Sequence, residues 1–193
     1  SVPLVADMSS SILSEPVDIS RFGLIYAGAQ KNMGPAGLTV VILRRDLLER
    51  EVDPIVPTML RYKVMAEYNT PPCFSIYMAG LMFQWVEKMG GVAAMEQRNR
   101  EKAALLYDLI EQSEIFQNPV AKEDRSIMNV TFTLPTPEDT KAFLQMAQGR
   151  GMINLKGHRS VGGCRASIYN GMPKEGVEAL AACMRDYEAG LRK

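Results

Sequence analysis

The chain has 193 residues, 47% of them hydrophobic and 23% charged, enough to bury a real core in one large domain or two small ones. Its 22 Lys and Arg balance 22 Asp and Glu, so no global pull toward nucleic acid or anionic lipid is expected, and any anion binding must come from local clustering. The three cysteines, Cys73, Cys164 and Cys183, are far apart and in no metal-like spacing, which reads as reduced thiols in a cytoplasmic protein. No apolar run approaches the roughly 20 residues needed to span a bilayer, and no signal peptide opens the chain. An apolar run follows Ser1 at once, so the chain reads as cut from something longer.

The first third predicts α/β structure. Leu4, Val5 and Ala6 form a short buried strand ending at Asp7, and residues 24–27 form a second. Residues 38–43 form a third, whose uninterrupted apolar run predicts a strand covered on both faces. Gly28, Gly34, Pro35 and Gly37 punctuate the loop between the last two. Residues 44–72, with Pro54, Pro57, Pro71 and Pro72, read as irregular. Residues 74–89 predict a helix that is apolar nearly all round and therefore buried, with Trp85 in the core and Gly90-Gly91 as its stop. Residues 92–113 predict an amphipathic helix, with Met95, Leu105, Leu106, Leu109 and Ile110 on its apolar side.

The last third changes character. Residues 128–134 alternate as a half-buried strand, and 138–148 read as a helix with Pro137 in its first turn. Residues 152–155 and 164–169 read as strands, and 173–191 as a closing helix. That order suggests a small α+β domain, so the division expected is 1–97 and 98–193.

Three features carry chemistry. Lys31 stands in a glycine-rich loop between two strands, where a turn can bring a lysine into a cleft. There, desolvation and nearby cations favour the neutral amine that attacks carbonyls; a solvated loop lysine is the plain alternative. The loop is no Walker A motif, because Lys31 precedes Gly34. Asp7 ends its strand where ligand sites of parallel sheets lie, and a buried carboxylate there needs a cationic partner such as a protonated pyridine nitrogen. Asp7 could equally cap a helix starting at Ser9 or Ser10. Finally, Thr140 to Lys174 contains no acidic residue but holds Lys141, Arg150, Lys156, His158, Arg159, Arg165 and Lys174. With Gly162 and Gly163 allowing close approach, this is either a site for a doubly anionic small molecule or a basic solvated face. No aromatic residue interleaves the cluster, which weighs against nucleic acid.

The blocks Ala-Asp-Met-Ser-Ser (6–10), Gly-Ala-Gln-Lys-Asn (28–32), Tyr-Asn-Thr-Pro-Pro (68–72), Lys-Gly-His-Arg (156–159) and Gly-Gly-Cys-Arg-Ala-Ser-Ile-Tyr-Asn (162–170) resemble the phosphoserine aminotransferases, in family order over essentially the whole chain. The resemblance implies part of the large domain of a fold-type I, class V enzyme using pyridoxal 5'-phosphate, followed by its small α+β domain. It implies a cytoplasmic homodimer of serine biosynthesis that moves nitrogen between glutamate or 2-oxoglutarate and 3-phosphohydroxypyruvate or O-phosphoserine. By position, Lys31 matches the lysine bonded to the cofactor, Asp7 the acid beneath its pyridine nitrogen, and Gln30 a contact to its phosphate. Asn69 and Thr70 match the pair that reaches the partner's cofactor phosphate. His158 and Arg159 match the readers of the distal phosphate or carboxylate, and Arg165 the holder of the α-carboxylate. No metal is implied.

The family's chain is longer before the Asp7 strand, so this chain alone is expected to be incomplete and inactive. Two alternatives compete. One is another fold-type I enzyme, of the alanine–glyoxylate aminotransferase or cysteine desulfurase kind, against which Lys156-Gly157-His158-Arg159 argues. The other is a truncated, non-catalytic chain that dimerises or regulates.

Overall fold

The structure, a computed structural model, describes residues 2–159 and 161–191. It forms two compact units, Ser1–Val92 and Ala93–Lys193.

The first unit is built on three strands, β1 (Val5–Asp7), β2 (Leu24–Gly28) and β3 (Thr39–Leu43), in spatial order β1-β2-β3. β1 runs parallel to β2, with Asp7 opposite Tyr26. β2 and β3 are antiparallel, as their short connection requires, with Gly28 opposite Thr39. The amide of Ala29 donates to the carbonyl of Leu38 at 2.9 Å and closes the base of the connecting loop. Central β2 buries Leu24, Ile25 and Ala27. Two expectations fail here. β1 is not buried, since Leu4, Val5 and Asp7 are exposed, and β3 is not covered on both faces, since Val41 and Ile42 are exposed. Both strands are edges of the described sheet, so their apolar runs have less of the chain to pack against.

Between residues 44 and 72 the chain is less irregular than its prolines suggest. A short helix α1 (Arg45–Leu48) follows β3, and α2 (Tyr62–Tyr68) fits into the proline-free interval between Pro57 and Pro71. Pro72 stands just ahead of α3 (Cys73–Lys88), where a missing amide costs nothing, and Gly90 ends the segment at φ 101°. α3 was expected to be buried. Instead it buries only a stripe of Ser75, Ala79 and Val86, while Phe74, Ile76, Tyr77, Leu81 and Phe83 are exposed and Trp85 is half-buried. The small residues of that stripe matter for the lysine loop. A Cβ on Gly34 would lie 3.4 Å from the backbone nitrogen of Ala79, and Ser75 Oγ donates to the carbonyl of Ala36 at 3.3 Å.

α4 (Gly91–Gln112) continues into the second unit and buries Met95, Asn99, Lys102, Ala103, Leu106 and Ile110 along one face. That unit pairs β4 (Asn129–Phe132) antiparallel with β5 (Cys164–Ser167), Thr131 opposite Arg165. α5 (Pro137–Gly149) starts as its sequence dictates: Pro137 lies in the first turn, and Thr136 Oγ1 accepts from the Asp139 amide at 3.0 Å. α6 (Lys174–Leu191) turns Val177, Leu180, Ala181, Met184 and Tyr187 inward at helical spacing. The core is aromatic at its centre. Phe143 meets Phe116, Phe132 and Tyr187 edge-on, with ring centroids 5.3, 5.9 and 5.5 Å away, a geometry that aligns ring edges with ring faces. The strand expected at 152–155 does not form. Asn154 adopts φ 62°, which breaks an extended run, and only an isolated bridge between Lys156 and Cys164 follows it.

Candidate active site

The lysine loop is folded by its own backbone. The amides of Met33 and Gly34 both donate to the carbonyl of Ala29, at 3.2 and 2.7 Å, so residues 29–34 form a tight turn at the end of β2. Ala29 and Met33 are buried beneath it with Ala27, against Met8, Ile12, Leu13, Leu38 and Val40. Asn32 is buried too, and its Nδ2 donates to the carbonyl of Ile12 at 2.9 Å and toward that of Ser10 at 3.5 Å. The turn is thus stitched to the segment that follows β1, and Lys31 is carried to the end of the parallel strand pair.

There Lys31 Nζ donates to Ser10 Oγ at 2.6 Å. Asp7 lies within Coulombic reach of the same ammonium. Asp7 Oδ1 accepts from the Ser9 amide at 2.8 Å. The Ser9 hydroxyl first, then that amide, the Tyr26 hydroxyl and the Lys31 charge hold the Asp7 carboxyl below the usual carboxylate range, against a smaller opposing effect of desolvation. The Asp7 charge in turn pushes the Tyr26 phenol up. Ser9 Oγ also accepts from the Gly28 amide at 3.0 Å, which ties the end of β1 to the end of β2. No helix starts at Ser9 or Ser10, where the chain forms turns, so the capping alternative for Asp7 reduces to this one-residue turn. The expectation that Asp7 is buried fails, since it is exposed; hydrogen bonds favour its ionised state and desolvation opposes it.

Gln30 is exposed beside Lys31, and its carboxamide folds back over Gly28, where a Cβ would collide with it. Asn69 and Thr70 are exposed just past the C-terminal end of α2, with Asn69 extended at φ −77°, ψ 129°.

The residues expected to read anions fall in the second unit, on one hairpin-like excursion. The Gly157 amide donates to the Gly163 carbonyl at 2.9 Å, and the amides of Val161 and Gly162 donate to the His158 carbonyl at 2.9 and 2.8 Å. His158 and Arg159 are therefore exposed at a closed tip, while Ser160 lies outside the described residues. Arg165 stands further along the returning arm, its amide bonded to the Leu155 carbonyl at 2.7 Å. Its side chain is half-buried, and its Nε is fully buried with no hydrogen-bond partner among the described residues. A buried guanidinium N–H left unsatisfied costs stability unless a ligand accepts from it. Arg165 lines a cavity of about 580 Å³ together with Ser167, Ile168 and Met172.

The expected basic cluster is smaller than its sequence window. Arg150 pairs with Asp186 at 2.7 Å and Lys174 with Glu101 at 3.7 Å, acids that lie outside the window in sequence but next to it in space.

Sequence reasoning missed Ser9, Ser10, Tyr26 and Asn32 as site residues. Their roles depend on the parallel register of β1 and β2, which places Tyr26 opposite Asp7; the only local signal is that Ser9, Ser10 and Asn32 lie within the two blocks at 6–10 and 28–32, and Tyr26 has none.

A lysine and an ionised acid at adjacent parallel strand ends fit the donor set that a pyridine aldehyde phosphate requires, an amine for its carbonyl carbon and a carboxylate for its ring nitrogen. The chain is 61% identical over 191 residues to the phosphoserine aminotransferase of Geobacillus kaustophilus (strain HTA426), which covers 96% of this chain and 53% of that protein. The phosphoserine aminotransferase of Bacillus circulans subsp. alkalophilus superposes with a TM-score of 0.93 at 50% identity, over 98% of this chain and 54% of that one. A PLP-bound phosphoserine aminotransferase from Trichomonas vaginalis gives 0.89 at 43% identity, over 95% of this chain and 53% of that one. The chain thus spans about half the length of the relatives it matches. No helix among the described residues is long and apolar enough to cross a membrane. The family model for class-V aminotransferases matches residues 1–180, and with the α/β architecture and the lysine–acid pair described above, the chain belongs to that family.

Proposed function

We propose that this chain is the lysine-bearing part of a phosphoserine aminotransferase. Such an enzyme moves an amino group between glutamate and 3-phosphohydroxypyruvate, giving 2-oxoglutarate and O-phosphoserine. The observation that carries the reading is the convergence of Lys31 and the ionised Asp7 at the ends of β2 and β1, both tied down by Ser9 and Ser10.

Pyridoxal 5'-phosphate, when bound, supplies an electron sink for the carbanion left by α-proton removal. The chain's residues do the rest. Lys31 supplies the amine that holds the cofactor and, once displaced by an amino acid, moves the α-proton as general base and acid. Asp7 pairs with the protonated ring nitrogen and keeps it cationic. Gln30 contacts the cofactor phosphate, and in a homodimer the partner's Asn69 and the partner's Thr70 approach it from across the interface; the exposure of both residues beyond α2 supports this. Arg165 receives the α-carboxylate on its guanidinium, whose Nε is buried and unsatisfied. His158 and Arg159, at the closed tip, accept either a phosphate or a side-chain carboxylate, so one distal site serves both substrates. The dispersed cysteines are consistent with a reducing, cytoplasmic setting.

The test is substrate choice. O-phosphoserine should bind the cofactor-loaded protein about 100-fold more tightly than alanine, the worth of one bidentate charge-assisted contact, and Arg159→Ala should remove most of that difference. Equal affinities would favour an alanine–glyoxylate type enzyme instead.

A further inference from the structure

Lys102 has no place in the chemistry above, yet it is among the most buried charged side chains in the chain, at 4% exposure. It sits on α4 with no acidic partner among the described residues. Its Nζ instead donates to three backbone carbonyls, those of Ile168 at 3.0 Å, Tyr169 at 2.9 Å and Met172 at 3.1 Å. Burial pushes the Lys102 ammonium down to about 8, so it remains charged at neutral pH. Three acceptors need three N–H donors, and only the ammonium form has them. One helical turn earlier, Asn99 Nδ2 donates to Asn170 Oδ1 at 2.8 Å. α4 therefore grips, from one face, the turn by which the chain leaves β5 and enters α6.

That turn begins one residue after β5, the strand that carries Arg165. Ile168 and Met172, whose carbonyls Lys102 holds, line the same cavity as Arg165. We propose that Lys102, with Asn99 beside it, is a positioning residue that fixes the end of β5 and so aims the Arg165 guanidinium at its anion. The proposal deepens the reading of Arg165 as the α-carboxylate holder and rests on it. The ammonium supplies charge-assisted hydrogen bonds to three carbonyls of this turn, donors that an apolar side chain of equal length would take away, so the end of β5 is held by directed bonds and not by packing alone.

The experiment compares the full chain with Lys102→Met, which keeps the length and loses the donors, and Lys102→Arg, which keeps charge and donors. The readout is the Nε–H resonance of Arg165 by NMR, together with affinity for L-glutamate. Lys102→Met should fold with wild-type helix content, yet shift or broaden the Arg165 Nε–H signal and weaken glutamate binding about tenfold, the scale of one charge-assisted hydrogen bond. Lys102→Arg should restore both. A folded Lys102→Met with an unchanged Arg165 signal would overturn the proposal and leave Lys102 purely structural. If Lys102→Met does not fold, Asn99→Ala loosens the same turn more gently, and an unchanged Arg165 signal there would overturn it too. Arg165→Lys is the separate control: glutamate affinity unaffected by that change would sink the carboxylate role of Arg165, while the Nε–H signal still judges the clamp.

Discussion

Gly162 and Gly163 allow the tip that carries His158 and Arg159 to be tested by a matched pair of substitutions. Both have left-handed backbones, at φ 76° and 60°, so alanine at either position costs about 1–2 kcal/mol in backbone strain. Their surroundings differ. A Cβ on Gly162 meets nothing within 4 Å among the described residues, whereas one on Gly163 would lie 2.6 Å from the Phe132 carbonyl oxygen and 3.0 Å from Thr133 Cγ2. That oxygen belongs to β4, whose Phe132 pairs with Cys164, so relieving the clash means displacing the β4–β5 ladder. Overpacking of this kind adds about 1–3 kcal/mol. Gly162→Ala should therefore destabilise by about 1–2 kcal/mol and Gly163→Ala by about 2–5 kcal/mol, measured by urea unfolding of the full chain followed by far-ultraviolet circular dichroism. Only Gly163→Ala should also weaken inorganic phosphate binding, because it moves the arm between the tip and Arg165. Equal losses for the two variants, or a Gly163→Ala protein within about 0.5 kcal/mol of the parent, would refute the steric argument.

Two further outcomes concern ionisation. In a thiol-labelling assay at pH 8, exposed Cys73 should react quickly, while Cys164 and Cys183 should react only in denaturant. Burial pushes the Cys164 thiol up to about 12 and raises that of Cys183, so about one Cys164 in 10,000 is thiolate at that pH. A raised native value stabilises the fold below the unfolded thiol's range and loses that contribution as pH climbs toward 12; two fast thiols would contradict the packing of the second unit. The Asp7 carboxyl, followed by carbon NMR, should titrate below its ordinary 3.8, and Ser9→Ala should move it upward. Because its native value is lowered, Asp7 contributes stability above the unfolded carboxylate range and loses it as pH falls through the native value. Titration at or above 3.8 in the parent would remove the hydrogen-bond account of its charge.

The sequence was most legible where local pattern and long-range packing ask for the same thing. Alternation at 128–134, helical spacing in α4 and α6, and Pro137 in the first turn of α5 each point to their element without help from elsewhere. The lysine loop was readable because glycine and proline mark where β2 must end. Burial was less readable. An apolar run shows that residues can be covered, not that this chain covers them, and β1, β3 and α3 keep apolar residues exposed. α2 was hidden by flanking prolines that bound a helix as readily as they break one. At the β1–β2 strand ends, Lys31 and Asp7 could be named from residue type and motif, whereas Ser9, Tyr26 and Asn32 acquire their contacts only through strand register and loop stitching. The charge window from 140 to 174 overstated the local excess of positive charge, because Asp186 and Glu101 approach from distant sequence.

The central claim is that the Lys31 amine captures a pyridine aldehyde at the β1–β2 strand ends. Pyridoxal 5'-phosphate should be added to the protein, the product reduced with borohydride, and the digest mapped by mass spectrometry. A pyridoxyl group should appear on Lys31, and Asp7→Asn should reduce its yield. Labelling spread over surface lysines, with Lys31 no more modified than the rest, would contradict the account.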